Sequence, residues 1–236
     1  MNVSMRRVYA IFVKDFKELS KNMYVLTTLL TPLLLAFVFG QAETVSLKIQ
    51  LMIINITFVS VTAFVQSAII AEEKEKNTLR GLMMSPASTA DILGGKSLLS
   101  VILTVGTMIL CLLITDFHLI NEPMLLLALL ISLVFYAGLG TLLGLWTKSL
   151  LEASVAIVPV IFILGMGTLF QKLIQPYPLL KFMEYFPNFQ LEFLTEAVER
   201  EASFGEVLGY FGVITGWTVL VLIVTVTVYR KRSMDE

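Results

Sequence analysis

The sequence has one cysteine, one histidine and few charges, and each shortage excludes a class of function. Cys111 alone can form neither an intrachain disulfide nor a paired-thiolate metal site. His118 alone cannot build a multi-histidine zinc centre. Charged residues make up 15% of the 236, where an ordinary soluble domain has roughly 25%. The chain has too little polar surface for a soluble globule, and there is no Lys/Arg-rich arm to hold nucleic acid at a net charge of -1. No Gly-x-Ser-x-Gly elbow is present, so a membrane hydrolase has no nucleophile of that kind. Gly95-Lys96-Ser97 resembles the end of a phosphate-binding loop, but Ala90 stands where the first glycine is required and no strand precedes it. The chain is therefore expected to bind no nucleotide and no metal of its own.

What is abundant is apolar sequence: 57% hydrophobic residues and a mean hydropathy of +0.85. A charge at the bilayer centre costs roughly 2.5–3.5 kcal/mol, so gaps between charges locate membrane spans. Six gaps are long enough, at 22–42, 49–71, 97–115, 123–147, 153–171 and 207–229. Each holds roughly 19 to 25 residues, which at 1.5 Å rise crosses a hydrocarbon core of about 30 Å. The first ends in Phe39-Gly40-Gln41 with no small-residue cleavage site, which predicts a retained span rather than a removable signal. Thirteen of the 17 basic residues lie on the side of the two termini, and Lys48, Lys172, Lys181 and Arg200 lie on the other. The positive-inside rule then predicts both termini in the cytoplasm of a multi-pass protein of the cell membrane. The expected fold class is an all-α membrane protein with six spans.

The segments between the gaps carry patterns of their own. Residues 5–21 wind as an amphipathic helix at about 100° per residue. Val8, Ile11, Phe12, Phe16 and Leu19 fall on one side, and Arg7, Lys14, Lys17, Glu18 and Lys21 on the other. Such a helix lies in the membrane interface, as an anchor, as a contact for a cytosolic partner, or as both. Residues 72–86 begin with Glu72, Glu73, Lys74 and Glu75 at helical spacing, then Asn77-Thr78 as a cap and Leu79, Leu82 and Met83 before Ser85-Pro86. This reads either as a solvated loop or as a charged elbow with a small apolar docking face. Residues 172–206 divide at Pro187-Asn188. Their aromatic first half, with Tyr177, Phe182, Tyr185 and Phe186, predicts an outer hairpin dipping into the headgroup level. In its second half Leu191, Phe193, Leu194, Ala197 and Val198 share an arc, opposite Glu192, Glu196 and Glu199.

Inside the gaps the polarity is neutral. No Asp, Glu, Lys or Arg lies deep in any of them, which counts against a proton-coupled carrier. Asn55, Thr62 and Gln66 share a helix face and either line a substrate path or hydrogen-bond between helices. Gly140/Gly144 and Gly212/Gly216 have the spacing of close helix contacts. Pro32 and Pro159 predict kinks, the second followed by Gly165 and Gly167 as a candidate moving element.

The order of these parts resembles the ABC-2 type transporter permeases over essentially the whole chain. The most specific stretch is Glu73 to Pro86 followed by Ile92-Leu93-Gly94-Gly95-Lys96, similar to the family's acidic, Gly-Thr-Leu, Ser/Thr-Pro and Gly-Lys run. Asn77 occupies the usual glycine position and Arg80 stands where an acidic residue is frequent. Pro178 to Val198 is similar to the family's outer re-entrant hairpin. The resemblance implies an ATP-driven exporter in which this chain is the permease. It implies pairing with a second permease, identical or related, and two separate ATPase subunits that bind ATP and Mg. On that reading residues 72–84 form a coupling helix and Met5 to Lys21 the interface helix beside it. The sparse intramembrane polarity points to an amphipathic or apolar substrate such as a drug, an antimicrobial peptide or a lipid. The other readings of the residues are an ATPase-independent carrier or channel, and a membrane scaffold without transport.

Overall fold

The computed structural model describes residues 5–76, 89–118, 122–174 and 176–235. These are nearly all helical, with no strand among them. Helix α1 runs Met5–Leu19, α2 Met23–Phe39, α3 Leu47–Glu75, α4 Thr89–Ile114, α5 Pro123–Trp146 and α6 Leu150–Gly165. Then come α7 Gly167–Ile174, a 3-10 segment Pro178–Tyr185, α8 Pro187–Glu199 and α9 Phe204–Asp235.

Four stretches are long and apolar enough to cross a bilayer: Leu47–Glu75, Gly94–Ile114, Pro123–Trp146 and Phe204–Lys231. Two shorter apolar helices, Val25–Phe39 and Leu150–Gly165, occupy the first and fifth of the predicted gaps. The fifth gap is not one helix. Pro159 has no N–H to offer the preceding turn, the next residues Ile161–Gly165 widen into a π turn, and the helix breaks at Met166 before α7.

Helix α3 is the axis of the fold. The whole of its apolar stretch is buried, against 22% for that of α9. Close approach to α5 is made possible by glycine. A Cβ on Gly140 would stand 2.3 Å from the Ala63 carbonyl oxygen, and one on Gly144 would stand 2.7 Å from Ile70 Cβ. The other predicted pair behaves differently: a Cβ on Gly212 or Gly216 would meet nothing within 4 Å. A π turn at Phe58–Ala63 widens α3 at its middle, beside the Phe58–Tyr136 ring stack with centroids 5.2 Å apart.

In the segment expected to form the hairpin, the aromatic first half is exposed, including Tyr177, Phe182 and Tyr185. It is tied to α9 by the Trp217 indole N–H, which donates to the Tyr185 carbonyl at 2.7 Å. Helix α8 departs from the expected amphipathic reading. Glu192, predicted on its polar arc, is fully buried together with Leu191, Leu194, Thr195 and Ala197. Helix α8 packs against α9, α5, α7 and α3, leaving Glu196 and Glu199 as its more exposed acids.

Overpacking at the α3–α5 seam is the most direct check of this arrangement. Gly140→Ala is expected to destabilise the protein by about 1–3 kcal/mol, whereas Gly212→Ala is expected to be neutral, in thermal unfolding of the purified protein in micelles. Equal effects at the two positions would contradict the seam.

Candidate functional site

Four consecutive residues at the end of α3, Glu72 to Glu75, each grip a different neighbour. A helix presents successive residues about 100° apart, so four in a row face all the way round it. Here every direction holds another element. Glu72 accepts from Lys76 at 2.7 Å, and Lys76 also stands 3.8 Å from Glu18 of α1. Glu73 takes the Lys14 ammonium of α1 at 2.5 Å and the Lys96 ammonium of α4 at 2.8 Å. Lys74 donates to the last carbonyls of α5, at 2.7 Å to Leu145 and 3.5 Å to Gly144, and to that of Thr147. Glu75 accepts the Leu150 N–H, the first of α6, at 3.0 Å.

The last two contacts match the ends of two helix dipoles. A cation is favoured at a helix C-terminus and an anion at an N-terminus, each by about 0.3–1 kcal/mol when exposed. The receiving end of α6 is itself capped: Ser149 accepts from Glu152 N–H at 3.3 Å, and Glu152 accepts from Lys148 N–H at 2.6 Å. Thus the turn between α5 and α6 is bolted to the tip of α3 through two adjacent side chains of opposite charge.

Around Glu73 the environment is dry. Glu73, Lys96 and Asp15 are 1%, 0% and 2% exposed. Lys96 lies 3.7 Å from Asp15, and neither Asp15 oxygen has a hydrogen-bond partner among the described residues. Burial therefore pushes the Asp15 carboxyl up to about 6, against the opposing pull of Lys96. For Lys14 burial pulls the ammonium down, and the Glu73 carboxylate outweighs it, so the net direction is up. Helix α1 reaches this site because Gly95 lets it in: a Cβ there would stand 3.0 Å from Ile11 Cβ.

The predicted interface helix divides its apolar stripe in two. Ile11 and Leu19 face inward with Asp15 between them, while Phe16 is exposed and Phe12 half-buried. Tyr9, Phe12 and Phe16 stack in a ladder with centroids 6.4 and 6.3 Å apart. Lys17 is exposed, and the side chain of Arg7 lies outside the described residues. Asn77, Thr78, Leu79, Leu82 and Met83 of the predicted coupling region also lie outside them.

In the interior Gln66 is fully satisfied. Its Nε2 donates to Thr141 at 3.0 Å and Ser97 at 3.3 Å, and its Oε1 accepts from Ser100 at 2.9 Å. Thr62 bonds Thr104 at 2.8 Å. Asn55 does not join them, and its amide has no hydrogen-bond partner among the described residues. The intervening π turn explains the separation, because one extra residue rotates the preceding helix by about 100°. Pro159 lies two residues before the Ile161–Gly165 π turn opens.

Sequence reading did not single out Lys74 or Asp15. Asp15 had a signal, being spaced four residues from both Ile11 and Leu19 on the inward stripe, and a charge on an apolar stripe needs a buried partner. Lys74 had none, since its partners are backbone carbonyls of a helix far along the chain.

Breaking one partner of a buried ion pair leaves the other stranded, at about 3–5 kcal/mol. Glu73→Gln and Lys96→Met are each expected to destabilise on that scale, and the double variant to lose less than the sum by about 0.5–3 kcal/mol, in a double-mutant cycle of unfolding. Strict additivity would contradict the pairing. Asp15 titrates higher folded, at about 6, than its ordinary 3.8, so its stabilising contribution is complete below about pH 4 and is lost as pH rises through 6. Asp15→Asn is expected to flatten unfolding free energy over that window, and an unchanged profile would refute the assignment.

Among curated proteins none matches the chain. Residues 41–228 match the family model described as ABC-2 family transporter protein, which takes in α3 to nearly the end of α9 and so the whole α3 tip with its α4, α5 and α6 partners. The chain belongs to the ABC-2 transporter family and is a membrane transport permease.

Proposed function

We propose that the protein is the permease subunit of an ATP-driven exporter, and that the tip of α3 passes an ATPase's movement to the membrane helices. The observation that carries this reading is the arrangement of Glu72 to Glu75, which connects one exposed end of the buried axis to α1, α4, α5 and α6. A displacement applied just beyond Lys76 cannot move α3 without moving the α5–α6 turn. From there it reaches the Pro159 break and the π turn after it, the weakest part of α6.

In this reading six segments cross the cell membrane, the two short apolar helices included, with both termini and the α3 tip in the cytoplasm. Residues 72–86 enter a cleft on an ATPase subunit, and α1 lies in the inner interface with its aromatic ladder toward membrane lipid. Two ATPase subunits bind ATP and Mg, and a second permease copy or a related chain completes the path. Export follows if the outward-open state binds substrate more weakly, because a ligand biases a cycle only through differential affinity. An amphipathic or apolar substrate fits an interior whose Thr62 and Gln66 are already committed to other helices. It also fits an apolar cleft of about 220 Å³ beside the Pro159 region, lined by residues including Phe135, Leu139, Ile163, Pro187 and Trp217. Asn55 supplies an uncommitted amide in the same interior.

The test is co-expression with a candidate ATPase partner, followed by substrate-stimulated ATP hydrolysis in liposomes across a panel of drugs, peptides and lipids. Lys74→Met and Glu75→Gln are expected to leave the complex intact and to lower stimulated turnover about tenfold or more, the scale of a lost charge-assisted hydrogen bond at about 1.5–3 kcal/mol. Transport that persists without any ATPase would instead establish a secondary carrier or channel.

A further inference from the structure

Roughly 40 Å along α3 from the charged tip, a second polar site lies under the outer hairpin, where two carboxylates share one lysine. Lys48, in the first turn of α3, donates to the Gln171 side-chain oxygen of α7 at 2.8 Å. Its ammonium stands 3.7 Å from Glu192 and 3.8 Å from Glu196, successive turns of α8. The two acids differ in setting. Glu196 is 38% exposed and can stay hydrated, whereas Glu192 is 0% exposed.

Two donors stand near Glu192, the Thr168 hydroxyl and the Lys48 ammonium, and both favour its ionised form. Among the described residues, neither of its oxygens has a hydrogen-bond partner, nor has Asn188 Oδ1 or the Thr168 hydroxyl, all of them buried. Asn188 lies one turn before Glu192 on α8, and its Nδ2 is already used on the Ile163 carbonyl at 3.2 Å. Gly167, next to Thr168, sits so close that a Cβ there would stand 2.4 Å from Asn188 Nδ2. The site thus gathers more acceptors than donors, the carboxylate and Asn188 Oδ1 from α8 and the Thr168 hydroxyl from α7, which can do either. One additional hydrogen on Glu192 turns an acceptor into a donor and satisfies two of them at once.

We propose that Glu192 is a proton-binding site, neutral in this conformation and hydrogen-bonded within the group formed with Asn188 and Thr168, while Glu196 remains ionised against Lys48. Two like charges compete for one counter-ion that is itself half exposed, and the fully buried member, which water cannot reach, is the one that keeps the proton. The charged groups acting on Glu192 are Lys48 from α3 and Glu196 from its own helix, and the Thr168 hydroxyl of α7 opposes the proton as a donor to the ionised carboxylate. Burial raises its carboxyl, Lys48 opposes this and Glu196 reinforces it. A further cation seated beside the Lys48 ammonium would meet like-charge repulsion, which favours the proton over a bound metal ion. The proton comes from bulk water and returns to it when the hairpin shifts enough to hydrate Glu192 or to bring Lys48 into contact. By linkage, the hairpin's position then depends on pH. None of this rests on coupling to an ATPase.

The test is infrared spectroscopy of the purified full-length protein in lipid nanodiscs. At pH 7 the wild type is expected to show the carbonyl stretch of a protonated carboxyl, absent in Glu192→Gln, retained in Glu196→Gln and Asp15→Asn, and lost as the pH is raised. Because the Glu192→Gln protein mimics the neutral acid, it is expected to fold and to melt like wild type below about pH 4. Above that the wild type should fall progressively below it in stability, and the gap should stop widening once Glu192 ionises in the folded protein. Should that variant fail to fold, the pH titration of the wild-type band in the Asp15→Asn background decides alone. No band at pH 7 overturns the proposal, as ionised Glu192 with water supplying the donors. A band that appears only when sodium is replaced by a large organic cation also overturns it, in favour of a bound metal ion.

Discussion

Charge buried at the end of an apolar helix must find partners, and in this protein that requirement organises the fold. The α3 helix is wholly enclosed along its apolar length, and of the four charges at its tip Glu73 emerges into protein while Glu75 reaches solvent. Glu73 draws in ammonium groups from α1 and α4, and its neighbours take hold of the ends of α5 and α6. The exposed members of the set, Glu72 with Lys76 and Glu18, add little energy by comparison. A buried pair such as Glu73–Lys96 is no more stabilising than a good apolar contact would be. Its effect is positional, since charge in a dry setting tolerates few alternative arrangements.

The same helix is rigid where it is gripped and loosened where it is not. Glycines 140 and 144 press α5 against it through backbone-scale contacts, so the two move as one. The π turn at Phe58–Ala63 lies in the middle of α3 and the one at Ile161–Gly165 closes α6, and a helical ladder is easiest to rearrange at such turns.

The helical, membrane-embedded character was legible in the sequence because charge spacing and bilayer thickness are independent of tertiary detail. So was a close helix contact at Gly140/Gly144, although the spacing did not name α3 as the partner. The same spacing at Gly212/Gly216 meets open space, because a small residue permits close approach without supplying the neighbour. Asn55 was grouped with Thr62 and Gln66 by counting 3.6 residues per turn, a rule that fails across a π turn. Glu192 was read as solvent-facing because a helical wheel assumes one buried side, and α8 packs against four helices. Lys74 left no trace in the pattern at all, since a side chain that caps a distant helix answers to backbone groups that every residue carries. The interface helix falls between these cases: its two faces were visible, but Asp15 on the inward one was not recognised as a charge awaiting Lys96.

If the α3 tip and the α5–α6 turn form one rigid body, two exposed positions flanking their junction should keep a fixed separation throughout the working cycle. Spin labels at Lys76 and Lys148, in the permease assembled with its ATPase and freed of Cys111, would measure this by pulsed dipolar spectroscopy. The account predicts the same narrow distance distribution without nucleotide and with ATP trapped. A distribution that shifts or broadens on trapping would mean that the tip slides past the turn, and that Lys74 and Glu75 transmit nothing.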